Sequence, residues 1–318
     1  MTEFSRTPDS NFDSLIDYDF EPHYHQWADL RMHYLDEGPR DGPVVLMVHG
    51  MPTWSYLYRD FIAPLVAAGY RCIAPDHLGF GKSDKPTDPH WYSIARHTEV
   101  LTSLIVELDL QDITLVCQDW GGPLGLAQAM TMPDRFSRLV IMNTWLHHPD
   151  YEYSEAILRW NKAWKEEGLF DRSKPDIGIL VALSASLISR ESAIPAIASA
   201  AAPEFLTPLG AQLHAAFLAP YKGLSDAAFN GLRRFPLSIP FSDYARGNGA
   251  VQASHFEQLK GWTKSIDFIW GGADDIFTEG WGRQWAGLFP QASFYLIPAA
   301  GHFLQNTHGR EIAERILA

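Results

Sequence analysis

The stretch "LVCQDWGGPLGLAQAM", residues 115–130, runs from a short apolar β-type segment into a helix-forming one. Asp119 stands at the junction. Gly121 and Gly122 follow it and permit a tight turn with close packing of the helix on the strand. Other apolar runs carry the same punctuation. "VVLMVHG" (44–50), "RCIAPD" (71–76), "ITLVCQD" (113–119), "LVIMN" (139–143), "IDFIWGG" (266–272) and "SFYLIP" (293–298) are bounded by Gly, Pro, Asp or Asn, as buried parallel strands are. Helical spacing separates them, and "SIARHTEVLTSLIVELDL" places Leu101, Leu104, Ile105 and Leu108 on one face. The alternation predicts a mostly parallel, doubly wound α/β sheet. "LRMHYLDEG" is expected as an antiparallel edge strand ahead of the parallel part.

Between Trp145 and Ile239 the strand signals vanish. "SEAILRWNKAWKEEGLF", "DIGILVALSASLI" and "AIPAIASAAA" read as helices, punctuated by Pro195, Pro203, Pro208 and Pro220. The expected organisation is an α/β core from residues 1–145 and 240–318, with a helical cap, 146–239, inserted over the carboxyl edge of the sheet.

Composition narrows the partners. The 318 residues carry 25 basic and 38 acidic side chains, a formal net charge of -13, which disfavours nucleic acid and anionic membranes. The longest apolar stretch, "IGILVALSASLI", is about half of what a membrane span needs. The N-terminus lacks a basic region followed by an apolar one, so a cytoplasmic protein is expected. Cys72 and Cys117 fall inside apolar stretches and read as buried thiols without zinc-ligand spacing.

Three titratable residues each lie just beyond a strand end: Asp119, Asp274 after "IDFIWGGA", and His302 in "PAAGHFLQN". Nucleophile, acid and histidine in that chain order define the α/β-hydrolase arrangement. Asp275 competes with Asp274 for the acid role. Asn143, at the end of the preceding strand, lacks the charge that role needs. "HGMPTW" after the first parallel strand supplies the oxyanion loop, so the backbone N–H groups of Met51 and Trp120 are the expected oxyanion hole.

The aspartate selects the chemistry. A serine attacking an sp³ carbon would form an ether that nothing here could hydrolyse. A carboxylate attacking the same carbon forms an ester, which water can then open at the carbonyl of the enzyme's own Asp119. His302 would activate that water, with Asp274 holding its tautomer. An epoxide and a carbon–halogen bond both fit. An epoxide oxygen needs a proton or a strong hydrogen bond, for which Tyr151, Tyr153 and Tyr221 are available in the cap. A halide needs uncharged donors, and indole N–H groups supply them; Trp120, Trp160 and Trp164 are the candidates.

Together, "RTPDSNF", "HYLDEG", "HGMPTWSYLYR", "PDHLGFGKSDKP", "LDLQDITLVCQDWGGPLGL", "RRFPLSIP" and "AGHFLQ" resemble the haloalkane dehalogenases, in particular the subfamily whose acid follows the later strand. The resemblance extends from Arg6 to Leu304. It implies an α/β-hydrolase fold with a cap, a halogenated alkane as substrate, and alcohol, halide and a proton as products, without metal or organic cofactor. Carried over by position, Asp119 matches the nucleophile, His302 the base, Asp274 the acid and Trp120 one halide-binding tryptophan. The second belongs to the cap, where "AILRWNKAW" makes Trp160 a better match than Trp164. Nucleic acid and membrane are not implied as partners, and a monomer is the expected state. This chain departs from the family at Met51, where Glu or Asn usually follows "HG", and at Cys117, where elbow motifs often carry Gly. An epoxide hydrolase using the same aspartate is the alternative, and a catalytically idle binding module is a third reading.

Overall fold

The structure, a computed structural model, describes residues 1–165 and 208–318. Its strands are β1 (Phe4–Ser5), β2 (His23–Trp27), β3 (Leu30–Glu37), β4 (Val44–Val48), β5 (Arg71–Pro75), β6 (Lys85–Pro86), β7 (Ile113–Asp119), β8 (Phe136–Thr144), β9 (Ser265–Gly271) and β10 (Ser293–Ile297). Eight of them form one sheet in the order β10-β9-β8-β7-β4-β5-β3-β2, and β1 pairs with β6 in a separate antiparallel ribbon. From β10 to β5 every neighbouring pair is parallel. Every residue of β4 and β7 is buried, as parallel strands covered by helices on both faces must be. The chain reverses direction of winding at β4, which lies between β5 and β7. A crevice opens at such a reversal beyond the carboxyl ends of the strands.

The expected edge strand is corrected. β3 does pair antiparallel with β5, but β2 pairs antiparallel outside it, so β2 forms the edge. A two-residue turn, Ala28–Asp29, joins β2 to β3, with Ala28 at φ +51°. "HYHQW" conceals its strand character because only His25 is buried there. Polar composition on an exposed edge is also what discourages pairing with another chain.

The helices are α1 (Arg59–Ala67), α2 (Ile94–Glu107), α3 (Gly121–Thr131), α4 (Glu155–Lys165), α5 (Pro208–Leu218), α6 (Asn230–Leu237), α7 (Gly249–Leu259), α8 (Glu279–Ala286) and α9 (Gln305–Leu317). Ser93 caps α2 by accepting the Arg96 N–H at 3.2 Å, and Leu101, Leu104 and Ile105 are buried as their spacing predicts. Leu108 ends the helix as its C-cap instead of continuing its face. Among the described residues of 146–239 there are helices and no strand, and α4 packs on α6. "DIGILVALSASLI" and "AIPAIASAAA" lie outside the described residues. No described helix is long and apolar enough to cross a membrane.

The turn from β7 into α3 is the tightest point of the fold. Asp119 has φ +51°, in the left-handed region that L-residues seldom adopt. A Cβ on Gly121 would lie 2.0 Å from the Val48 carbonyl oxygen of β4, so only glycine lets α3 start this close to the sheet. Gly121→Ala is therefore expected to lower stability by about 3 kcal/mol or more, because backbone and not a flexible side chain blocks the methyl. Urea denaturation checks this, and an unchanged midpoint would refute it.

Candidate active site

Asp119 is 8 % exposed, and its carboxylate is held at both oxygens. The Met51 N–H donates to Oδ1 at 2.8 Å, while Oδ2 faces His302 Nε2 at 3.5 Å. Gly50 is required here, since a Cβ there would lie 2.3 Å from Oδ1. The Thr144 hydroxyl donates to the Asp119 carbonyl, tying the end of β8 to the turn. The Trp120 N–H, the second expected oxyanion donor, bonds to no described residue. Met51 itself is buried, so replacing the family's polar side chain there leaves the backbone donor in place.

His302 lies between two carboxylates. Its Nδ1 donates to Asp274 Oδ2 at 2.8 Å, which leaves Nε2 toward Asp119. The Gln118 amide donates to the His302 carbonyl at 3.1 Å, and its nitrogen also lies 3.1 Å from His302 Nε2, meeting the ring from the strand side. Burial alone would lower the His302 pKa. Attraction to Asp274, with the hydrogen bonds to Asp119 and Asp274, outweighs burial and raises it to about 10.

Of the two candidate acids, Asp274 is buried against His302 and Asp275 is exposed. Asp274 Oδ1 accepts from the Ile276 and Phe277 N–H groups at 2.8 and 3.2 Å, and Oδ2 also accepts from Asn143 Nδ2 at 2.7 Å. Asn143 in turn accepts the Gly271 N–H at 2.7 Å, spanning β8 and β9. The sequence set Asn143 aside as the acid for lack of charge, and the structure places it as a hydrogen-bond donor to the acid instead. Its place at the carboxyl end of the strand beside the acid loop was the available signal.

The loop after β4 is fastened from beneath. His49 Nε2 accepts the His77 N–H at 3.0 Å, so the hydrogen lies on Nδ1, which donates to the Gly50 carbonyl at 2.8 Å. His97 packs below, with its ring centre 5.8 Å from that of His77. Asp76 accepts the Ser55 N–H at 2.7 Å and the Lys82 N–H at 2.8 Å and faces His33 Nδ1 at 2.8 Å. Burial would raise the Asp76 pKa, but the charge and hydrogen bond of His33 keep it below the ordinary range.

Asp119 and His302 open onto a cavity of about 80 Å³ whose described walls are largely apolar. Trp120, Trp145, Trp160 and Phe277 line it. The Trp164 side chain lies outside the described residues. Of the three tyrosines, only Tyr153 reaches the cavity, and its hydroxyl is engaged by His147 Nδ1 at 2.8 Å and the Phe241 N–H at 3.2 Å. The Tyr221 hydroxyl is turned away, donating to the Gly79 carbonyl at 3.0 Å. No group of three or more His, Cys, Asp or Glu suited to a metal occurs among the described residues.

An Asp–His–Asp constellation at the carboxyl edge of this sheet defines an α/β-hydrolase, and residues 43–308 match the alpha/beta hydrolase fold family. The chain belongs, more narrowly, to the haloalkane dehalogenase family. It is 35% identical over 320 residues to a haloalkane dehalogenase of Psychrobacter cryohalolentis, covering 98% of this chain and 96% of that one. It is 37% identical to haloalkane dehalogenase 1 of Mycobacterium tuberculosis, covering 98% and 97%. A solved haloalkane dehalogenase of Paraglaciecola agarilytica NO2, described as tetrameric, superposes with a TM-score of 0.83 at 32% identity, covering 98% and 97%.

Asn143→Ala removes a hydrogen bond to a buried charge, an interaction worth about 1.5–3 kcal/mol. The kcat for halide release should fall by roughly tenfold to a hundredfold, with KM little changed. Steady-state kinetics beside a denaturation curve checks this; an unaltered kcat would show that Asp274 needs no such support.

Proposed function

We propose that the chain hydrolyses carbon–halogen bonds of small haloalkanes through an ester on Asp119. The observation that carries the reading is a carboxylate at the elbow, with one oxygen held by the Met51 N–H and the other facing both His302 and an indole-lined cavity. Asp119 Oδ2 attacks the carbon bearing halogen from the side opposite the leaving group. A C–O bond forms, the C–X bond breaks, and halide departs with the electron pair. Trp120 and Trp160 offer it donors that carry no charge. Water then gives a proton to His302 Nε2 and adds to the ester carbonyl carbon. The developing oxyanion is the former Oδ1, already beside the Met51 N–H and with the Trp120 N–H as its second donor. Collapse frees the alcohol, the proton of the added hydroxyl passing to the departing alkoxide, and restores Asp119 beside protonated His302, which gives up its proton to solvent once the next ester forms.

The epoxide alternative has less support, since the cavity presents indoles, and its one described tyrosine has its hydroxyl committed elsewhere. Every group in the scheme comes from one chain, so a monomer suffices. Two buried free thiols, Cys72 and Cys117, agree with a cytoplasmic setting.

Asp119→Ala should abolish bromide release from terminal bromoalkanes while leaving the fold intact. Halide release by that variant would eliminate the ester route. Release of diol from an epoxide panel, with none of halide, would move the assignment to the alternative.

The raised pKa of His302 has a direct kinetic meaning. Two carboxylates favour its imidazolium in the free enzyme, and alkylation does not require it neutral. The ester removes the charge of Asp119, so the His302 pKa falls once the intermediate forms and the ring becomes a base. Hydrolysis is lost as pH drops through that lower value, whereas alkylation persists as long as Asp119 is ionised. Rapid-quench mass spectrometry should therefore show more alkyl-enzyme at about pH 5 than at about pH 8. An equal or smaller adduct at the lower pH would contradict this order of protonation.

A further inference from the structure

A second cavity, of about 480 Å³, lies between the first turn of α2 and the chain that runs from the end of α6 to the start of α7. Its described lining includes Ser93, Arg234, Leu237, Ser238, Arg246 and Gly247, and no acidic side chain. In a chain of net charge -13, two guanidinium groups thus line one hollow without a carboxylate in its described wall.

Arg234 has no counter-charge. The neighbouring Arg233 donates to Asp226 at 2.8 and 2.6 Å, and Arg71, Arg138 and Arg283 each hold a carboxylate at 2.7 Å. The Arg234 guanidinium makes no hydrogen bond or ion pair with a described residue. Its Nε is buried and unbonded, whereas its two terminal nitrogens are not buried. A guanidinium taken partly out of water is ordinarily paired, because desolvation without a partner costs free energy. Arg246 is only loosely engaged, its Nε lying 3.9 Å from Asp243 Oδ2. The facing end of α2 adds the partial positive charge of a helix N-terminus.

We propose that this cavity binds the phosphate group of a small organic ester, clamped between Arg234 and Arg246. Charge sets the class: two guanidiniums match a dianion better than a single carboxylate, and each presents a fork of N–H donors that fits phosphate oxygens. The hollow has room for more than the phosphate, and Tyr92, Ile94 and Leu237 offer apolar surface to the rest of the ester. The site is separate from the triad but shares a wall with it. In "FPLSIP", residues 235–240, Pro236 and Ile239 line the catalytic cavity, while Leu237 and Ser238 line this one. The proposal does not depend on the dehalogenase reading.

Calorimetric titration of the full chain with phenyl phosphate, at fixed ionic strength in sodium chloride, tests it. One molecule should bind per chain. Arg234→Gln and Arg246→Gln should each weaken binding by about tenfold or more, the loss expected for charge-assisted hydrogen bonds. Arg234→Lys should restore only part of it, since an ammonium keeps the charge without the fork. Benzoate should bind more weakly than phenyl phosphate; benzoate binding as tightly would overturn the choice of phosphate. Asp119→Ala should bind phenyl phosphate as the wild type does, and loss of binding there would place the ligand in the catalytic cavity and overturn the proposal. So would the absence of binding to the folded wild type, or binding unaltered in the Arg234→Gln/Arg246→Gln double variant. Circular dichroism checks that each variant is folded. Should Arg234→Gln fail to fold, Arg246→Gln decides alone: weakened binding supports the site and unchanged binding overturns it.

Discussion

The fold turns on one close approach, that of the Asp119 turn to the end of β4. Gly121 touches the Val48 carbonyl, and Gly50 leaves room for the Asp119 carboxylate. From this contact follows the placement of the candidate machinery. Because β4 and β7 are adjacent and parallel, the loop after one delivers the Met51 N–H to the side chain at the end of the other. β8 and β9 extend the same edge and bring Asn143 and Asp274 into register with it. An outlying φ at Asp119 is tolerated because neighbours on both sides over-determine the turn.

Electrostatics distributes work along that edge. Asp274 is hydrogen-bonded at both oxygens, whereas Asp119 has one oxygen near a base and a cavity. Two carboxylates of one residue type thus occupy different environments, one fully hydrogen-bonded and one poised to react. His302 lies between them, and in the proposed mechanism its proton affinity depends on whether Asp119 is free or esterified. In that scheme the order of chemical events follows from the charge of the site.

Much of this was legible in the sequence for a physical reason. Parallel strands buried on both faces are written as continuous apolar runs, and residues at their ends are marked by Gly, Asp and Asn. Asp119, Asp274 and His302 could be located that way, as could β4, β5 and β7 to β10. β2 could not, because an exposed edge strand has no apolar signature. Asn143 was visible and set aside as the acid, but its bond to Asp274 was not legible, since a neutral amide shows its function only through what it touches. The choice between Asp274 and Asp275 also required geometry, as adjacent residues of one type differ only in burial.

The imidazoles beneath the oxyanion loop couple the architecture to proton uptake. Burial is the main reason that His49 and His77 lie below the ordinary histidine pKa and that His97 is pushed down to about 3. The unfolded chain binds these protons near the ordinary value of about 6.5, whereas the folded chain cannot without breaking the His49 bond to the His77 N–H. Their contribution is therefore neutral above that value. As pH falls below it, each group costs about 1.4 kcal/mol per pH unit until its folded pKa is reached. Acid accordingly weakens the support of the Met51 loop. The floor of the candidate site is thereby a proton-sensitive foundation.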